Sequence, residues 1–191
     1  MASSVSMAAS DAFVDCMSMS AAVNFAGYGV AADQFRSLAG SLPTGVCVIT
    51  TRNAQDDPVG MTSGAVCSLS CEPPLLLTCI SRGSKTLAAI RESSAFVVNM
   101  LAADSAALSD RFAGPVSDRF ADVAWTRERS GLPVLTDGTI AHAICHVYQL
   151  VSAGDHVIVI GLIVGGEHRA DIEPLMYFRR SYSGFPIRRV A

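Results

Sequence analysis

The chain has 191 residues, 50% of them hydrophobic, and a net charge of −3 at pH 7. That length suits one domain with a sizeable core, and the mild acidity excludes the electrostatic footprint of a nucleic-acid binder. No apolar run approaches the ~20 residues of a membrane-spanning helix, and a charged fraction of only 16% points to surface buried by oligomerisation.

Residues 1–30 are rich in Ala, Ser and Met, show no period and read as a flexible tail, with residues 31–191 as a single domain. The opening MASSVSMAASDAFVDCMSMS lacks the basic n-region of a signal peptide, and its Asp11 and Asp15 argue against a transit peptide, so a cytoplasmic protein is expected. Phe35, Leu38, Ala39 and Leu42 fall at i, i+3, i+4 and i+7, which predicts a helix starting near Asp33 and ended by Pro43 and Gly45. GVCVITT is a β-branched strand, RNAQDDP a polar hairpin turn, and VGMTSGAVCSLS a second strand with an irregularity at Gly64. EPP turns the chain into the apolar strand LLLTCIS. In SRGSKTLAAIRESS, Ser84 is a good N-cap, with Leu87 and Ile90 on the buried side of a helix. AFVVNML is a strand, and Asp104 is placed to cap DSAALSDRF. After Trp125 and the turn GLPVL, the strands AHAICHVYQLV, HVIVIGLIVGG and PLMYFRRSY complete the set. Strands joined by short turns rather than helical crossovers predict an antiparallel sheet closing as a barrel: a mainly β fold with short helices.

Six cysteines lie at 16, 47, 67, 71, 79 and 145, with no C-x-x-C pair. Buried, reduced thiols are expected. Hydrolase and nucleotide-binding signatures are missing: there is no G-x-S-x-G elbow, P-loop, G-x-G-x-x-G or H-E-x-x-H. His142, Cys145 and His146 resemble a ligand set on paper, but strand alternation puts the two histidines on one face and the thiol on the other. His168 lies in the polar turn GGEHRAD and reads as solvated. His156 follows Gly154–Asp155 at the mouth of a strand, where it either caps the strand or serves a site. In SRGSKT, Ser81, Ser84, Lys85 and Thr86 gather hydroxyls and an ammonium at a helix N-terminus, an arrangement that favours an anion. The preceding GMTSGAVCSLSCEPP is small and hydroxyl-rich and has no base, so a flat ligand could approach its backbone closely.

Taken in order, FRSLAGSLPTGVCVITT, PVGMTSGAVCSLSCEPPLLLTCISRGSKT, FVVNML, RFAG, GLPVL, AGDHVIVIG and PLMYFRRSY span Phe35 to Tyr182. This succession resembles the flavin reductases that supply reduced flavin to two-component monooxygenases. The resemblance implies a split antiparallel β-barrel of the FMN-binding, Greek-key type, assembled as a homodimer with the flavin near the subunit interface. It implies that Pro58, Val59, Gly60, Met61 and Thr62, then Ser63, Gly64 and Ala65, run along the isoalloxazine. Cys79, Ile80 and Ser81 would line the ring and ribityl chain. Lys85 and Thr86 would meet the phosphate, and Arg111 and Phe112 would add a cation and an apolar wall. Asp155 and His156 would meet the nicotinamide, with Arg180 and Tyr182 nearby. Gly64, Val66 and Cys67 depart from the residues usual at these places.

The activity implied is hydride transfer from NADH or NADPH to FMN or FAD, with the reduced flavin passed to a flavin-dependent monooxygenase. The flavin carries the redox chemistry and the protein supplies binding and orientation. Rival readings are an oxidase of the pyridoxamine-phosphate oxidase type, a non-enzymatic flavin-binding protein, and a metal-binding barrel using His142 and His146. The Gly-Asp-His turn and the C-terminal FRRSY favour the reductase over the oxidase.

Overall fold

The computed structural model describes residues 29–186. Most of the expected tail, residues 1–28 with Cys16, lies outside them. The described residues fall into two units, 29–36 and 37–186. Helix α1 (Ala32–Ala39) forms where the apolar spacing predicts it, but it buries none of its residues, and Leu42 falls beyond its end.

The second unit is antiparallel throughout. Its main sheet is built from β2 (Cys47–Arg52), β3 (Pro58–Ser63), β4 (Val66–Cys71), β5 (Pro74–Ser81), β6 (Ala95–Leu101), β9 (Thr139–Ala153) and β10 (His156–His168), in the order β3-β2-β6-β9-β10-β5-β4. β1 (Thr44–Gly45), β11 (Leu175–Phe178) and β12 (Ser181–Gly184) form a small second sheet. β7 (Trp125–Arg127) and β8 (Pro133–Leu135) pair as a ribbon in a segment where the sequence predicts only a turn. The expected single strand over VGMTSGAVCSLS is two strands, broken at Gly64–Ala65.

The break curls the sheet back on itself. The hydroxyls of Ser63 on β3 and Thr78 on β5 meet at 3.2 Å, and the Cys79 N–H donates to the Ala65 carbonyl at 3.0 Å. The two ends of the sheet meet there without a strand ladder between β3 and β4, which leaves the barrel split. Curvature also comes from the long β9–β10 hairpin, whose register shifts at Ile160/Gly161 and Ile163/Gly165. A Cβ at Gly161 would stand 2.5 Å from Phe96 Cζ, so glycine is needed for the fully buried Phe96 ring to fill the interior.

β2 and β6 read as continuous apolar runs because both their faces are covered. Cys47, Ile49, Phe96 and Val98 face the barrel interior, while Val48 and Leu101 face a second cluster with Phe112, Phe120 and Leu175. Buried Asn99 ties the layers together. Its amide donates to the Val48 carbonyl and Thr50 Oγ1, and its oxygen accepts the Leu135 N–H, each at 3.0 Å.

Helix α2 (Lys85–Ser93) starts as expected: Ser84 Oγ accepts the Thr86 N–H at 3.2 Å, and Leu87 and Ile90 are fully buried. Helix α3 (Ala106–Ala113) differs from the expected start. Ser105 occupies its N-cap, and the Asp104 carboxylate instead accepts the Ser105 hydroxyl at 3.2 Å. Cys47 and Cys145 are buried, and burial pushes both thiols up to about 12. Cys67 and Cys71 are exposed, against expectation, because β4 is the sheet's edge strand and its outer face is uncovered.

Candidate active site

A groove of about 750 Å³ opens between three elements. Its floor is Pro58–Thr62 of β3, its far end is Ser84–Thr86 at the head of α2, and its wall is Phe112 with the 115–120 segment. β3 is an edge strand, so one row of its backbone N–H and C=O groups has no strand partner. At Gly60 the floor has no side chain. A Cβ there would lie 2.8 Å from Phe112 Cε1, which shows how tightly the ring is set against the strand. Phe112 is braced edge-on by Phe120, at 5.1 Å between centroids, and Phe120 by Trp125 at 5.6 Å.

The structure therefore brings together eight of the residues expected at the site: Pro58, Val59, Gly60, Met61, Thr62, Lys85, Thr86 and Phe112. Several expected side chains, that of Thr62 among them, are spent on the fold or lie elsewhere. Thr62 Oγ1 donates to the Ser109 carbonyl at 2.6 Å, and Ser63 pairs with Thr78, so both hydroxyls join elements of the fold. Gly64 and Ala65 are exposed at the break in the strand. Ile80 is fully buried in the barrel interior and can offer a ligand only its backbone, whereas Cys79 is half-buried and Ser81 exposed. Tyr182 braces α3: its hydroxyl donates to Asp110 at 2.8 Å and meets Ser109 Oγ at 3.0 Å, and burial raises its pKa. Arg180 sits at the β11–β12 turn with φ of 66° and is outside the groove lining.

Arg111 is also outside that lining. Its Nε donates to the Arg119 carbonyl at 2.9 Å, and it lines a neighbouring cavity with Asp104 and Asp122. The cation on the groove wall is Arg119, which sequence reasoning missed along with Phe120. A signal existed: SDRFA occurs twice, at 109–113 and 117–121. The first copy lies on α3 and the second on the loop after it, and each sends its phenylalanine to the groove.

His156 begins β10, opposite Ser81 of β5. The Arg82 N–H donates to the Asp155 carbonyl at 3.0 Å, so this turn is tied to the loop that leads into α2. His156 Nδ1 and Asp155 Oδ1 are 2.7 Å apart, with the histidine side chain 46% exposed. That hydrogen bond, then the charge of His156, holds the Asp155 carboxyl below the usual carboxylate range. The turn thus keeps its anion as pH falls and loses it only below that depressed pKa.

His142 lines a separate cavity of about 260 Å³ with Glu167 and His168. His146 is exposed, and Cys145 points into the core. Among the described residues, no group of three or more His, Cys, Asp or Glu is arranged to hold a metal ion.

Residues 39–186 match the model of the flavin reductase like domain. The chain belongs to the flavin reductase-like family. It is 48% identical over 157 residues to a flavin reductase (NADH) of Kitasatospora aureofaciens, covering 81% of this chain and 82% of that protein. It is 37% identical to the reductase subunit HsaB of a flavin-dependent monooxygenase from Rhodococcus jostii, covering 79% of this chain and 76% of that one. Among solved structures it is similar to the NADH:FAD oxidoreductase SgcE6 of Streptomyces globisporus C-1027 in complex with NAD and FAD fragments. That match has a TM-score of 0.74 and 29% identity, and it covers 83% of this chain and 92% of the other. The split antiparallel barrel is thus the architecture of this family.

Proposed function

We propose that the protein is an NAD(P)H-dependent flavin reductase that passes a hydride to FMN or FAD and supplies the reduced flavin to a partner monooxygenase. One observation carries this reading: a single groove runs along the edge strand β3, at Pro58–Thr62, to the cationic head of α2 at Lys85. A planar ring with a phosphorylated tail has that shape and polarity, so the residues present fit a flavin.

A bound flavin would supply the redox chemistry, accepting the hydride of a reduced nicotinamide. The chain's own residues bind and orient. The free edge of β3 offers backbone donors and acceptors to the rim of the ring. Val59, Met61, Phe112 and Phe120 form apolar walls that exclude water. The α2 N-terminus and Lys85 hold the phosphate. His156, steadied by Asp155, orients the nicotinamide or its ribose beside Ser81, and no side chain is required as nucleophile or base. Holding the two reactants close and oriented would account for much of the rate. Oxidation of NADH and NADPH in the presence of FMN, FAD or riboflavin tests the reading. No flavin-dependent turnover with any pair would sink it.

Lys85→Ala is expected to weaken FMN and FAD binding about fivefold, the scale of one exposed charge at a helix N-terminus, and to spare riboflavin. Unchanged FMN and FAD affinities in a fluorescence titration would move the phosphate site elsewhere.

The reading includes a homodimer. On β10, Val157 and Val159 fill the core, yet the outward residues Ile158, Ile160 and Leu162 are apolar as well. Across the sheet Ile158 is flanked by Cys79 and Val151, and Ile160 by Leu77 and the single polar Gln149. A sheet face left to water carries polar residues at these places, so this one fits a second copy. A monomer in sedimentation equilibrium at micromolar concentration would remove the dimer.

A further inference from the structure

Resting on the flavin reading, the inference concerns how the groove discriminates among flavins. Arg119 lies on the groove wall with Lys85 and Thr86. Its Nη1 donates to the Gly60 carbonyl at 2.7 Å and its Nη2 to the Gly114 carbonyl at 2.9 Å. Both partners are neutral. Neither Arg119 nor Lys85 belongs to any ion pair among the described residues. The only acidic residue lining the groove is Asp118, whose Oδ1 already accepts the N–H groups of Phe120 and Ala121, each at 3.0 Å.

A half-buried guanidinium that belongs to no ion pair among the described residues suits an anion. The two carbonyls hold the fork from one side and leave its other N–H donors unspent. Little side-chain entropy is then lost when a phosphate docks. The duplicated SDRFA supplies the division of labour. Arg111 of the first copy spends its Nε on the Arg119 carbonyl and its Nη2 on that of Asp118, and so fixes the segment that presents the second arginine.

We propose that Arg119, rather than Arg111, is the second cation of the site: with Lys85 it holds the flavin phosphate and makes the enzyme select FMN or FAD over riboflavin. Equilibrium titrations of FMN, FAD and riboflavin by flavin fluorescence test this on the full chain and on Arg119→Gln, Arg119→Lys and Arg111→Gln. Arg119→Gln is expected to weaken FMN and FAD about tenfold, the scale of one charge-assisted contact, and to leave riboflavin within about twofold. Arg119→Lys is expected to recover much of the loss, and Arg111→Gln, which loosens the segment but keeps the second guanidinium, to lower the ratio of FMN to riboflavin affinity by less than Arg119→Gln does. Equal weakening of all three flavins by Arg119→Gln would make Arg119 a structural brace and overturn the proposal. So would no weakening at all, or a change of ratio in Arg111→Gln as large as that in Arg119→Gln. If the unaltered protein bound none of the three flavins, the flavin reading would fall first and this assignment with it.

Discussion

Gly60→Val is expected to lower flavin affinity about 10- to 100-fold and to destabilise the fold by ~1–3 kcal/mol. The first Cβ alone would stand 2.8 Å from Phe112 Cε1 and 3.1 Å from the Ile49 carbonyl oxygen. The carbonyl belongs to a buried strand and cannot yield. The ring is fully buried and held by Phe120 and Trp125, so moving it disturbs the whole aromatic row. The added methyls would press further into the Phe112 ring and so distort the groove wall that it forms. Denaturant unfolding gives the stability loss, and a flavin titration under conditions where the variant is folded gives the affinity. A folded Gly60→Val with unchanged flavin affinity would remove the floor from the site.

His156→Ala is expected to raise the KM for reduced nicotinamide about 10- to 100-fold, the range of a hydrogen bond to a charged group, with the flavin KM within about twofold. The asymmetry follows from position. His156 stands on the turn opposite Ser81, whereas the groove is lined by β3, the head of α2 and the 112–120 segment. Its side chain is half-exposed and lies outside the buried clusters, so a general loss of structure is not expected. Steady-state kinetics with each substrate varied in turn separates the two constants. Equal effects on both would reject the assigned role.

Much of the fold was legible because its signals are local. The runs GVCVITT and AFVVNML announce strands covered on both faces, and Ser84 with Leu87 and Ile90 announces a capped, half-buried helix. The strand break at Gly64 was visible as an irregularity, but its consequence was not. That Ser63 would meet Thr78 and close the sheet depends on a contact between strands that local pattern does not encode. The same limit explains Cys67 and Cys71, which sit in a strand-like run whose edge position only topology reveals.

The groove floor and the head of α2 were legible from small residues and an N-cap motif. The wall was only half so. Arg111 and Phe112 share one short helix, yet the fold turns the ring to the groove and the guanidinium to the next loop. Rotation about a helix fixes that choice, and composition says nothing of it. Arg119 and Phe120 lie on a loop with no period, where only the repeated SDRFA betrays them.

Under the proposed function, this groove and the Asp155–His156 turn bring a flavin and a reduced nicotinamide together for direct hydride transfer. Anaerobic mixing of the protein with FMN or FAD and an excess of NADH, followed by flavin absorbance, tests it most directly. The account predicts rapid bleaching of the flavin, slowed when NADH carries deuterium at the transferred position of C4. Bleaching no faster than in the absence of protein, with both flavins and with NADH and NADPH alike, would contradict it.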